Sequence, residues 1–169
     1  ARSKNIGVLT KDLAISYSVT GPNLRASGVK WDLRKDLPYL VYDKMEFDVP
    51  VGENGDSWDR YKVRIEEMRQ SLRIVEQAID LLPAGDPTVK VGRIHKPAPS
   101  EAYFRTENPR GELGFYLVSD GSACPYRLKI RSPSFSNLAV VPELVKGVKM
   151  ADLVCILGSF DILMGEIDR

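Results

Sequence analysis

Between Trp58 and Leu82 the apolar residues Trp58, Tyr61, Ile65, Met68, Leu72, Val75, Ile79 and Leu82 follow one another at alternating spacings of three and four. Residues so spaced share one face of an α-helix, so the run predicts a long helix with a heptad seam. Asp56 or Ser57 supplies the N-cap after the turn Gly52–Gly55, and Pro83 stops the helix. Ile74, Ala78 and Leu81 widen the stripe on one side, which fits a buried helix of a bundle better than a free coiled coil. Lys62, Glu66, Arg69, Arg73 and Gln77 fall on the opposite face and read as solvated.

The remaining elements are shorter. Residues 10–18 predict a helix capped by Thr10 with Asp12 in its first turn. Gly21-Pro22 breaks it, and NLRASG reads as an ordered loop. WDLRKDLP gives a turn or short helix ending before Pro38, and residues 39–51 read as irregular or edge-strand structure. The Pro- and Gly-rich stretch LLPAGDPTVKVGRIHKPAPS is a connection. Gly114–Val118 and Tyr126–Ile130 are strand-like and form a hairpin across SDGSACP. Helical patterns return over 134–140, from Pro142, and over MADLVCILGSFDILMG. The expected class is α+β, mostly α: a helical bundle core around a long central helix, with a small antiparallel hairpin.

The 169 residues, 43% of them hydrophobic, suffice for one domain with a sizeable core. A net charge of +1, with acidic and basic residues interspersed, leaves no electrostatic footprint for nucleic acid. Cys124 and Cys155 read as free thiols of a reducing compartment. With His95 as the lone histidine and no CxxC, a zinc or iron–sulfur site has no ligand set, so no metal is expected on this chain. The most apolar stretch, Met150 to Gly165, is interrupted by Asp152 and Asp161 and is too short to span a bilayer. No N-terminal segment has the layout of a signal peptide, and a start at Ala1 suggests a processed product, an engineered length or a piece of a longer protein.

Most catalytic templates fail. There is no GxSxG elbow, no Walker loop and no dinucleotide fingerprint, and GENGDSWDR fits a helix N-cap better than a calcium loop. Two features survive. One is a set of loop arginines: Arg25, Arg34, Arg110, Arg127 and Arg131, of which Arg110 stands out in a Pro-Arg-Gly turn before a strand. The other is the terminus GSFDILMGEIDR, where Asp161, Glu166 and Arg169 adjoin Phe160, Ile162, Leu163 and Met164. Charged groups beside an apolar run can line a pocket for a ligand with a polar head and an apolar tail.

Five blocks carry a resemblance: LTKDLAISYSVTGPNLRASG, WDLRKDLPYLVYDKMEFDVP, GDSWDRYKVRIEEMRQSLRIVEQAIDLLP, PRGELGFYLVSDGSACPYRLKIRSPSFSNL and GSFDILMGEIDR. In this order the chain resembles, almost end to end, the C-terminal part of the hydrogenase-like quinone-site subunit (D-type) of respiratory NADH–quinone oxidoreductase, complex I. That family is similar to the large subunit of nickel–iron hydrogenases, which implies a hydrogenase-like fold. The hydrogenase ending Asp-Pro-Cys-x-x-Cys-x-x-His, laid on Asp161, meets Leu163, Glu166 and Arg169, so its thiolates and imidazole are missing.

The resemblance implies a part of a proton-pumping NADH–quinone oxidoreductase. The chain would contribute the wall of the quinone-reduction site, beside the subunit carrying the terminal iron–sulfur cluster. Asp161, Leu163, Glu166, Arg169 and Arg110 are the implied quinone-pocket residues. No catalytic residue is assignable, since the family's head-group contacts fall in the N-terminal half. This chain binds no cofactor; quinone is the substrate, and NADH and the iron–sulfur clusters belong to partner subunits. The implied partners are the B-, C- and H-type subunits of complex I. The implied location is peripheral, on the cytoplasmic face of a bacterial inner membrane or the matrix side of a mitochondrial one. The alternatives are a scaffold domain of the peripheral arm, a ferredoxin-linked plastoquinone oxidoreductase, and a true hydrogenase.

Overall fold

A computed structural model describes residues 2–88 and 96–168. His95 and Arg169 lie outside the described residues, as does the rest of 89–95 within the stretch that the sequence reads as a connection. The first helix, α1 (Lys11–Ser16), starts as expected, with the Thr10 hydroxyl accepting from the Leu13 N–H. The segment read as a loop is instead a buried helical turn, α2 (Pro22–Ala26). α1 ends at Ser16, before Ser18 takes a positive φ of 52°, so Gly-Pro does not end it; Gly-Pro instead starts α2, because Gly21 takes a positive φ of 70° and Pro22 presets helical φ at the first position. Next come α3 (Leu33–Asp36), capped by Asp32, and a 3₁₀ turn over Tyr42–Lys44.

The long helix is α4 (Ser57–Asp80), capped by Asp56. Its extent is as expected and its environment is not. The buried positions are Ser57, Asp59, Arg60 and Val63, all in the first two turns, which pack against α2 and the later helix α7 (Met150–Phe160). The heptad seam lies open: Met68 is 56% exposed, Leu72 64%, Ile79 67% and Leu82 76%. The seam is not buried because no helix among the described residues packs along it. Its polar face is solvated as expected at Lys62, Arg69 and Arg73, and Gln77 and Arg73 also hold the 46–48 segment through Glu46 backbone and the Asp48 carboxylate.

Three strands form an antiparallel sheet in the order β1 (Ser100–Asn108), β2 (Gly111–Ser119), β3 (Arg127–Arg131). The expected hairpin is the β2–β3 pair, with Gly114 opposite Arg131 and Val118 opposite Arg127. The unforeseen strand β1 pairs with β2 from Asn108↔Gly111 to Ser100↔Ser119. As an edge strand with a largely exposed outer half, it lacks the alternation that marks a half-buried one. The chain then runs through α5 (Pro133–Leu138), α6 (Val141–Leu144), α7 and α8 (Met164–Ile167).

The core gathers Leu9, Ala14, Val19, Leu24, Val140, Val141, Leu144, Ile156 and Phe160, so α1, α2, α6 and α7 close on one another. Among the described residues no helix is long and apolar enough to cross a membrane.

Candidate functional site

Arg110 sits at the tip of the β1–β2 hairpin, in the two-residue loop between paired Asn108 and Gly111. The Asn108 carboxamide accepts from the Arg110 N–H, and Asn137 of α5 donates to the Arg110 carbonyl. Gly111 has φ 131°, and a Cβ there would stand 2.5 Å from the Thr20 hydroxyl oxygen. The tip is thus pressed onto the loop between α1 and α2, where only glycine fits.

Asp161 ends α7 in a left-handed conformation, φ 51° and ψ 52°. Three side chains take the carbonyls of this helix end in succession. Arg64 donates to Ser159 O at 2.6 Å, Asn23 to Phe160 O at 3.5 Å, and Arg110 Nε to Asp161 O at 2.7 Å. Unpaired C-terminal carbonyls attract cationic donors, and here they fix where the Asp161 side chain stands. One turn before Arg64, the fully buried Arg60 donates to Gly55 O, Gly7 O, Ser57 Oγ and Ser159 Oγ, with its guanidinium 4.9 Å over the Phe160 ring. Burial, reinforced by the charge of Arg64, lowers the Arg60 pKa to about 10.

Arg110 and Asp161 meet in an ion pair of 3.4 Å at one rim of a cleft of about 510 Å³. Arg25, Arg34 and Arg64 also line it, with Glu67 and Glu107, and Tyr42, Met68 and Pro109 add apolar wall. Four arginines therefore face three carboxylates across it. Arg25 is 1% exposed and gathers acids from three elements: Glu67 of α4 at 2.5 Å, Glu107 of β1 at 2.9 Å and Asp32 before α3 at 3.7 Å. Despite the cost of burial, those acids hold its guanidinium firmly protonated. Asp32 is also gripped by Arg34 through two bonds of 2.9 and 2.7 Å. Burial pushes Asp32 up, but the Arg34 bond and the charges of Arg25 and Arg34 outweigh it and hold the acid below its usual range. Glu107 goes the other way: burial raises it, and the pull of Arg25 does not fully offset that.

The structure thus brings Arg110 and Asp161 together and separates Leu163 and Glu166 from them. Glu166 turns to the start of α5, accepting from Ser132 Oγ and Ser134 N–H, both at 3.2 Å. The Leu163 N–H donates to Ser134 Oγ, and its side chain is 45% exposed. Neither lines the cleft of Arg110 and Asp161. Arg169, whose shared face with Glu166 the sequence suggests, lies outside the described residues. Of the other loop arginines, Arg131 binds Glu112 O and Ser18 O, while Arg127 is plain surface. Arg64, Glu67 and Glu107 escape the sequence reading. A signal exists: Arg60, Arg64, Glu67 and Ser71 form a polar stripe at i, i+4, i+7 and i+11 along α4, and Glu107 stands three residues before Arg110.

The sequence matches the family described as respiratory-chain NADH dehydrogenase, 49 Kd subunit, over residues 1–97 and 88–169. Among similar curated proteins, the D-type subunit of an NADH-quinone oxidoreductase from Dehalococcoides mccartyi is 54% identical over 99% of this chain and 46% of its own length. The second D-type subunit of Herpetosiphon aurantiacus is 58% identical over 100% of the chain and 47% of its own length. A third relative, the second D-type subunit of Symbiobacterium thermophilum, is 55% identical over 99% and 44%. The chain spans about half the length of the curated relatives it matches.

Proposed function

Because the chain belongs to the family of the 49 kDa subunit of the respiratory-chain NADH dehydrogenase, we propose that it forms part of the wall of the quinone-reduction site in an NADH–quinone oxidoreductase. The observation that carries this reading is the cleft closed by Arg110 and Asp161. Its volume lies in the range of small-molecule sites. Guanidinium N–H groups are donors suited to carbonyl or phenolic oxygens, and Tyr42, Met68 and Pro109 give an apolar surface for a ring.

On this reading the chain's own residues bind and orient. Arg110 fixes Asp161 through both backbone and carboxylate, and Arg64 and Asn23 hold the helix end behind it. The electrons come from NADH through iron–sulfur clusters in partner subunits, the last of them next to this chain. The B-, C- and H-type subunits are the proposed neighbours, and the hydrogenase-like fold is the proposed ancestry of the cleft. The bacterial relatives favour the cytoplasmic face of a cell membrane over a mitochondrial matrix. The open seam of α4 supports a further partner, the rest of the same subunit, since the relatives are about twice this length.

The test replaces Asp161 with Ala in the full-length subunit. NADH-to-quinone turnover and quinone-site inhibitor response are measured in membranes beside NADH oxidation by an artificial acceptor that bypasses the site. Loss of quinone turnover with bypass activity intact is expected. Wild-type quinone turnover and inhibitor response would leave a scaffold role instead.

A further inference from the structure

The ion pair at the rim of the cleft depends on a side chain that does not line it. Asn137 of α5 is 1% exposed. Its Oδ1 accepts from the Thr20 N–H at 3.0 Å, and its Nδ2 donates to the Thr20 carbonyl at 3.3 Å and to the Arg110 carbonyl at 3.1 Å. One carboxamide thus takes both backbone groups of Thr20, in the loop between α1 and α2, and still reaches the tip of the β1–β2 hairpin. Only one orientation of the amide achieves this, since the reversed one would set its oxygen against two carbonyls.

The bond from Asn137 completes the fixing of the backbone on either side of Arg110. The Arg110 N–H donates to Asn108 Oδ1 at 3.2 Å, and the Arg110 carbonyl accepts from Asn137. With both peptide groups held, the direction in which the side chain leaves its Cα is set. Arg110 Nε then meets Asp161 O at 2.7 Å, and Nη2 meets the Asp161 carboxylate at 3.4 Å. The contact under the tip has no slack: a Cβ at Gly21 would lie 2.4 Å from Gly111 Cα and 2.8 Å from the Arg110 carbonyl oxygen. α5 is itself a firm base. Ser132 and Ser134 at its start are each 2% exposed; the Ser132 hydroxyl and the Ser134 N–H both donate to the Glu166 carboxylate, and the Ser134 hydroxyl accepts from the Leu163 N–H. This short helix therefore ties the hairpin tip that carries Arg110 to the tail that carries Leu163 and Glu166.

Resting on the reading of this cleft as a quinone-site wall, we propose that Asn137 is a positioning residue of that wall, holding the hairpin tip where Arg110 reaches Asp161. It acts through Arg110 and touches no substrate. Without the carboxamide, Arg110 keeps its charge and loses its fixed direction, and a binding group set loose by a fraction of an ångström is a weaker one. The hairpin as a whole stays attached. The Glu112 N–H still donates to the Thr20 hydroxyl, and Arg131 still donates to the Glu112 carbonyl. The loss falls on the placement of the tip rather than on the sheet.

The test uses the assembled enzyme with the full-length subunit carrying Asn137→Ala, Arg110→Ala, both together, or Asp161→Ala. The readouts are the KM for a short-chain quinone and the concentration of a quinone-site inhibitor that halves turnover, beside the bypass assay. Asn137→Ala and Arg110→Ala are each expected to raise both values by about 10-fold, roughly the cost of one charge-assisted hydrogen bond, with bypass activity at the wild-type level. The double variant is expected to match Arg110→Ala, because a residue that acts only through Arg110 then has nothing left to act on. Effects that multiply in the double variant overturn the proposal, as does a loss shared with bypass activity. Should Asn137→Ala fail to assemble, Asn137→Asp carries the test with the same expectations, since it keeps the shape and the acceptor for Thr20 and lacks the N–H donors. Failure of both to assemble makes Asn137 a framework residue and overturns the proposal. If Arg110→Ala and Asp161→Ala weaken quinone and inhibitor binding while Asn137→Ala does not, the cleft reading stands and the positioning role falls. Wild-type values in Arg110→Ala and Asp161→Ala remove the cleft reading itself.

Discussion

Replacing Arg25 with Met keeps much of the side-chain volume and removes the charge at the centre of the acid cluster. Arg25 is 1% exposed, contacts Glu67, Glu107 and Asp32, and donates to Trp31 O at 2.8 Å. Asp32 keeps Arg34, so the main damage falls on Glu107, which is 5% exposed, and on Glu67. Removing one partner of a buried ion pair costs about 3–5 kcal/mol, because the remaining charge is desolvated without compensation. For a chain of this size that amounts to a fall of roughly 6–20 °C in Tm. The deficit must also depend on pH. Without Arg25 the carboxyl of Glu107, already raised by burial, rises further above its unfolded value. A carboxyl whose folded pKa is raised destabilises as pH climbs through that pKa, and the penalty disappears in acid. The gap between wild type and Arg25→Met, measured by urea denaturation followed by circular dichroism, should therefore be wide near neutral pH and narrow toward about pH 4. Adding Glu107→Gln to Arg25→Met should recover part of the loss, a direct coupling between the two sites. A neutral-pH deficit below about 1 kcal/mol, or one that widens in acid, would refute the claim that Arg25 compensates the buried acids around it.

Two further outcomes follow from the same geometry. Leu72→Gln with Ile79→Gln, both on the open seam, should change the stability of this chain by no more than about 0.5 kcal/mol per site. In the full-length subunit the same pair should cost several times more by denaturant titration; equal effects would mean the seam stays exposed there too. Gly111→Ala should destabilise by about 1–3 kcal/mol and displace the hairpin tip, given φ 131° and the Thr20 hydroxyl 2.5 Å from the new Cβ. Quinone turnover in the assembled enzyme should fall with it, since Arg110 precedes that glycine.

The elements legible in the sequence are those whose signal is local. Thr10 and Asp56 cap helices where short polar residues precede periodic runs, and the β2–β3 hairpin follows its alternation. α2 is hidden because Gly21-Pro22 signals both an end and a beginning. β1 is hidden because exposure relieves an edge strand of the need to alternate. The heptad seam reads as the buried face of a bundle helix and lies open among the described residues, because periodicity gives an apolar face without saying where its covering element lies. Arg110 and Asp161 are singled out through the resemblance, but their ion pair is not legible in the sequence, since 51 positions separate them. Glu107 and Arg64 are hidden for a different reason. A charged residue on a strand or helix reads as solvated until tertiary structure buries it.

The most direct measurement is photolabelling of the assembled enzyme with a light-activated quinone analogue, followed by peptide mapping of this subunit. The cleft reading predicts label on the segments around Arg110 and Asp161, and its loss when a quinone-site inhibitor is present. An absence of inhibitor-sensitive label from both segments, with the analogue still turned over as a substrate, would contradict it.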